Sequence, residues 1–223
     1  MCDAAMGQIL TVRHGDRDRA ITDDDLSVLL ESLGVELDLF ADLFHEKEWR
    51  QGYTEFFLDR PPIVRIARGL AENNKYANRF RFTLAHETGH ILAQREAYER
   101  IGNVCSRGSA WLSYCNKHGL RRQLHDWLEF QADYCGGALL MPKRLLDAHI
   151  SLHPELNASG RNPIYSTIGR SLAVNVSERF HTSVDAARVR LISLGYLFRP
   201  SPGTQLRLGL EPENGEHDST TYS

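Results

Sequence analysis

The segment His86-Glu87-Thr88-Gly89-His90 sets two imidazoles four residues apart, with a carboxylate directly after the first. On an α-helix, residues four apart differ by about 40° around the axis, so both rings leave the same side, one turn apart. Two neutral imidazoles at that spacing can bind one tetrahedral Zn²⁺. Glu87 lies about 100° round from His86, so it need not coordinate and can instead act on a water as general base. Two solvated histidines on an exposed helix face would show the same spacing. Gly89 speaks against that: a glycine inside a helix costs about 1 kcal/mol relative to alanine. Its presence points to close approach of another backbone or of the metal site itself.

A catalytic zinc needs a third protein ligand and an open fourth position. Glu129, in Glu129-Phe130-Gln131-Ala132-Asp133, is the best candidate. Asp133 is one helical turn on and shares its face. A carboxylate there could accept the free ring N–H of a ligand histidine, fixing its tautomer and raising its basicity. His125, one turn the other way, is either a transition-state hydrogen-bond donor or a surface histidine, and the surface role is the simpler. Tyr134 and Tyr76 are further candidate donors to an oxyanion. A His₂Glu set favours Zn²⁺ by geometry, and Mn²⁺ in the working enzyme is not distinguished from it.

These residues need two helices to carry them, and the pattern supplies both. A helical repeat runs from about Arg79 to Glu99, with Phe82, Ala85, Gly89 and Leu92 as its apolar stripe. A second helix is expected over Arg122–Leu140, closed by Met141-Pro142 because proline lacks a donor and restricts the residue before it. Upstream, Thr22 followed by three aspartates starts a helix whose apolar positions run to Leu33, with Gly34 ending it. Val35–Trp49 admits strand or helix, whereas Tyr53–Leu58 and Ile63–Ala67 read as strands around Asp59-Arg60-Pro61-Pro62. Residues 102–120 have no sustained period and are expected to form a loop-rich insertion. Ser151–Pro163 is loop-like.

Two further helices are expected at Ile164–Phe180 and Ser183–Leu194, giving a helix-turn-helix appearance. Arg170, Arg179, Arg188, Arg190 and Arg199 outnumber the acids there. They are scattered, however, and a specific DNA reader needs a denser basic footprint, so direct DNA binding is not expected. The segment is expected to pack on the core that carries the metal site or to contact a protein partner.

With 223 residues and 42% hydrophobic content, the chain can build a core without disulfide or metal staples. A net charge of −3 gives no global attraction to nucleic acid or membrane. No secretory h-region and no span of about 20 apolar residues is present, and four scattered cysteines make no disulfide framework. The expectation is a cytoplasmic protein with free thiols. Its organisation is expected to be a zinc metallopeptidase domain over 20–150, a C-terminal helical segment over 163–199, and a disordered tail over 200–223, acidic beyond Leu210.

Three elements resemble the ImmA/IrrE family of metallopeptidases: Arg81-Phe82-Thr83-Leu84-Ala85-His86-Glu87-Thr88-Gly89-His90, Glu129-Phe130-Gln131-Ala132-Asp133, and Ala138-Leu139-Leu140-Met141-Pro142. The third is persuasive because zinc chemistry does not require it. Thr182–Ala187 and Arg190–Gly195 are similar to that family's C-terminal helical segment.

The resemblance implies an α+β, zincin-like core with a small sheet packed on the metal helices. It implies His86, His90 and Glu129 as metal ligands and Glu87 as the catalytic residue. It further implies a zinc endopeptidase whose protein substrate is a helix-turn-helix transcriptional repressor, cleaved to relieve repression under stress or in mobile-element control. Thr88 stands where leucine is usual and Asp133 where asparagine is common. The stretch from His90 to Glu129 is longer than expected and contains Cys105 and Cys115. The alternatives are a non-hydrolytic, metal-stabilised regulatory binding protein and the toxin half of a toxin–antitoxin pair.

Overall fold

Thr22 starts the first helix, α1 (Asp23–Ser32), through a reciprocal capping box. Its hydroxyl accepts the Asp25 N–H at 3.2 Å, and its own N–H donates to Asp25 Oδ2 at 3.0 Å. Asp25 is buried and is also held by Arg19 at 2.6 Å, so its charge enters the core already paired. Gly34, at φ +67°, turns the chain out of α1 in a conformation that only glycine adopts without strain.

The computed structural model describes residues 7, 19–43, 51–57, 59–104, 121–157 and 160–200, with side chains described except at 100–104, 121–125 and 157. The body of the expected insertion, Cys2, Cys105, Cys115, the His125 side chain and the tail beyond Pro200 lie outside that set. Within the ambiguous stretch Val35–Trp49, Glu36–Ala41 forms strand β1, and residues 44–49 lie outside the described set. Strands β2 (Gly52–Glu55) and β3 (Ile63–Ala67) follow, the first shorter than its aromatic run suggests. They form a sheet in the order β1-β3-β2, with β1 parallel and β2 antiparallel to β3. Ile63, Val64 and Ile66 of the central strand are buried, as a strand paired on both sides and covered by helices requires.

After the short helix α2 (Arg68–Ala71) and a 3₁₀ turn at Asn74–Tyr76 comes α3 (Ala77–Val104), longer at both ends than its periodicity predicts. Helix α4 (Arg121–Leu140) packs along it. Pro142 ends α4 as expected, and then serves as the N-cap residue of α5 (Lys143–Ser151). The stretch read as loop contains one short helix, α6 (Pro154–Asn157).

The C-terminal segment begins with a two-residue strand, β4 (Asn162–Pro163), rather than with helix. Ser166 caps α7 (Thr167–Phe180), Ser183 caps α8 (Val184–Ser193), and β5 (Leu197–Phe198) returns to pair with β4 in parallel. Between the helices His181 adopts a left-handed φ of 52°.

Leu172, Val176, Phe180, Ala187 and Leu191 join the same hydrophobic cluster as Val64, Leu84 and Leu139, so one core runs through the sheet, the paired helices and the C-terminal helices. Arg190 is buried, donating from Nε to the Met141 carbonyl at 3.1 Å, and is therefore not presented for reading DNA. No helix among the described residues is long and apolar enough to cross a membrane.

Candidate metal and active site

Gly89 explains how α3 and α4 come together. A Cβ added there would stand 2.5 Å from the Ala132 carbonyl oxygen and 3.0 Å from the Ala132 Cα, both backbone atoms. Opposite, a Cβ on Gly136 would stand 3.1 Å from the His86 nitrogen. The two helices therefore touch backbone to backbone at the level of the histidines. Gln94 Nε2 donates to the Leu128 carbonyl at 2.9 Å and clips them together one turn beyond His90. Thr88, fully buried, satisfies its hydroxyl within its own helix by donating to the Leu84 carbonyl at 2.7 Å.

That contact brings Glu129 to the histidine pair. His86 Nε2 lies 3.1 Å from His90 Nε2 and 3.2 Å from Glu129 Oε2, and His90 Nε2 lies 3.7 Å from Glu129 Oε1. Around an ion with bonds of about 2.0–2.1 Å, tetrahedral ligand atoms sit about 3.3–3.4 Å apart, so the donor set fits one divalent cation. Among the described residues this is the one group of three or more His, Cys, Asp or Glu that could hold a metal. The Glu129 side chain is 41% exposed while the two histidines are mostly covered, which leaves one flank of the cluster open. Asp133 Oδ1 accepts from His86 Nδ1 at 2.8 Å and so directs Nε2 toward the cluster.

Glu87, offset by about 100° round the helix from His86, is buried within electrostatic reach of His86 and Glu129. Its Oε2 accepts the Thr54 hydroxyl of β2 at 2.7 Å. Sequence pattern does not reveal Thr54, because the contact spans 33 residues and a lone threonine in a short strand carries no signal. Tyr134 is half exposed, with its ring against Phe130 and beneath Arg190, and Tyr76 is exposed in the 3₁₀ turn. Cys135 is a buried thiol facing the core.

The electrostatics separate the titrating groups. Burial opposes charge on His86, but hydrogen bonds to Asp133 and Glu129 and the nearby Glu87 overcome it and push its pKa up to about 10. Burial and the charge on His86 both lower His90. Burial pushes Glu87 up from the usual carboxylate range, and Thr54 and His86 pull against that shift.

The acids around His86 thus favour a proton on its ring. A cation must displace it. Because His86 is raised, the proton is present at neutral pH and leaves only as pH approaches about 10. Metal binding is therefore expected to release about one proton and to tighten by about tenfold per pH unit between pH 7 and 9. Calorimetry in buffers of different ionisation enthalpy checks this; a pH-independent affinity would contradict it.

An α+β fold that gathers two helix-borne imidazoles and a carboxylate beside a buried acid is the arrangement of a metallopeptidase. The family model Peptidase_M78, described as the IrrE N-terminal-like domain, matches residues 44–191. The chain belongs to this peptidase family, and its α+β architecture is the zincin-like one expected from the sequence. No curated protein and no solved structure matches the chain.

Proposed function

We propose that the protein is a zinc-dependent endopeptidase acting on a specific protein partner, with His86, His90 and Glu129 as ligands and Glu87 as general base. The observation that carries it is the meeting of His86 Nε2, His90 Nε2 and the Glu129 carboxylate at ligand-to-ligand spacing. Glu87 lies buried alongside without belonging to that set.

When bound, a divalent ion there supplies Lewis acidity that polarises a scissile carbonyl and acidifies a water. Glu87 takes the proton that the water loses on attack and delivers it to the departing amine. Burial, which disfavours its charged form, raises its proton affinity above that of a free carboxylate. Asp133 holds the His86 ring in register. His125 and Tyr134, on the same helix as Glu129, are the candidate donors to the oxyanion.

Resemblance to the ImmA/IrrE family supports a helix-turn-helix transcriptional repressor as the substrate, in the cytoplasm and in a stress or mobile-element response. The test is metal analysis of the purified protein, paired with incubation against repressors encoded beside its gene. One zinc per chain and one discrete cut in such a repressor are expected. Full metal occupancy without any cut, together with an unchanged biological effect of Glu87→Gln, would favour a non-hydrolytic regulator instead.

A further inference from the structure

We propose that Thr54 is a positioning residue for Glu87: its hydroxyl, presented by the edge strand β2, fixes one oxygen of the carboxylate so that the other is aimed at the reacting water. This rests on the peptidase role proposed above.

Thr54 Oγ1 lies 2.7 Å from Glu87 Oε2 and 3.3 Å from the Glu87 carbonyl oxygen. A hydroxyl has a single proton, and the shorter contact to the charged acceptor takes it. Glu87 is 4% exposed, so water competes poorly for that oxygen. A free glutamate side chain has three rotatable torsions, and one strong anchor at its end removes most of that freedom before substrate arrives.

The strand that carries the anchor is itself braced. Thr54 pairs with Val64 of the buried central strand, and Tyr53 pairs with Arg65. Side chains alternate along a strand, so Tyr53 and Glu55 leave the face opposite Thr54. There Arg65 donates to the Tyr53 hydroxyl at 3.0 Å and bonds Glu55 as well. Gly52 lets the strand lie close against α3: a Cβ there would stand 2.9 Å from Thr83 Cγ2 and from Ile66 Cδ1. The small sheet thus holds one hydroxyl at a set distance from the base, a geometric task distinct from filling the core.

The test compares Thr54→Val, which keeps the shape and removes the donor, with Thr54→Ser, which keeps the donor. Both are made alone, and Thr54→Val also in a Glu87→Gln background. Cleavage of the neighbouring-gene repressor is followed at saturating zinc, alongside metal stoichiometry, and each variant is crystallised. Thr54→Val is expected to lower kcat about tenfold with KM within about twofold and zinc still bound. Thr54→Ser is expected to recover to within about threefold, and Thr54→Val should cost nothing further once Glu87 is Gln.

In crystals of Thr54→Val the Glu87 carboxylate is expected to leave its wild-type rotamer. An undisplaced Glu87 overturns the positioning role whatever the activity, as does wild-type kcat in Thr54→Val when Glu87→Gln is inactive. Normal cleavage by Glu87→Gln would instead remove the peptidase role of Glu87 itself. Should Thr54→Val fail to fold, Thr54→Ala carries the same comparison.

Discussion

Replacing Glu87 by Gln is expected to lower turnover by about 10²–10⁴-fold while leaving one metal ion bound per chain. The substitution keeps the shape of a side chain that is almost completely buried. The amide oxygen can still accept from Thr54, so the packing between β2 and α3 survives. What is lost is the capacity to take a proton. His86, His90 and Glu129 are untouched, and loss of the neighbouring carboxylate removes only one of several groups that stabilise positive charge on His86. Cleavage of the proposed repressor substrate and metal content, measured on the same preparation, separate the two effects. Undiminished cleavage would eliminate Glu87 as the base.

Gly89→Ala is expected to destabilise the protein by about 1–3 kcal/mol and to weaken metal binding by at least about tenfold. Helix propensity alone predicts the opposite, since alanine gains about 1 kcal/mol over glycine in a helix. The methyl group, however, would stand 2.5 Å from the Ala132 carbonyl oxygen, an atom that cannot yield without moving α4. Ala132 lies between Glu129 and Asp133 in sequence, so any outward shift of α4 takes the carboxylates away from the imidazoles. Displacements of about 1 Å at such sites have large consequences. Gly136→Ala, whose nearest contact is 3.1 Å, is expected to be milder. Thermal melts with and without zinc give both quantities, and a Gly89→Ala variant of wild-type stability and zinc affinity would show that the helices are free to separate.

Much of the site is legible in the order of the residues. The i, i+4 spacing of His86 and His90 fixes their common face because helical geometry is local, and the same logic puts Glu87 aside from the pair. Asp133, one turn from Glu129, is placed by its spacing to bond the free nitrogen of a histidine proposed as a ligand, and it lies 2.8 Å from His86 Nδ1. Ser183 and Pro142 mark helix ends because capping and the missing proline N–H act within a few residues. Less legible are features that depend on partners far along the chain. Val35–Trp49 stays ambiguous because its alternating positions suit a strand only when a neighbour such as β3 pairs with them. Periodicity starts α7 too early, at Ile164, because Asn162–Pro163 pairs with Leu197–Phe198, a contact that no local pattern announces.

By itself, then, the sequence determined which residues share a helix face and which groups on that face can bind a cation or move a proton. Tertiary structure decided which faces meet. Gly89 is visible in the sequence as a costly residue, but only the packed helices show the Ala132 backbone occupying the space that its missing side chain leaves. Thr54 becomes part of the site only when the sheet folds against α3. The physical reason is range: backbone periodicity and capping act over one or two turns, whereas close packing and buried hydrogen bonds join segments whose separation along the chain carries no information about their distance in space.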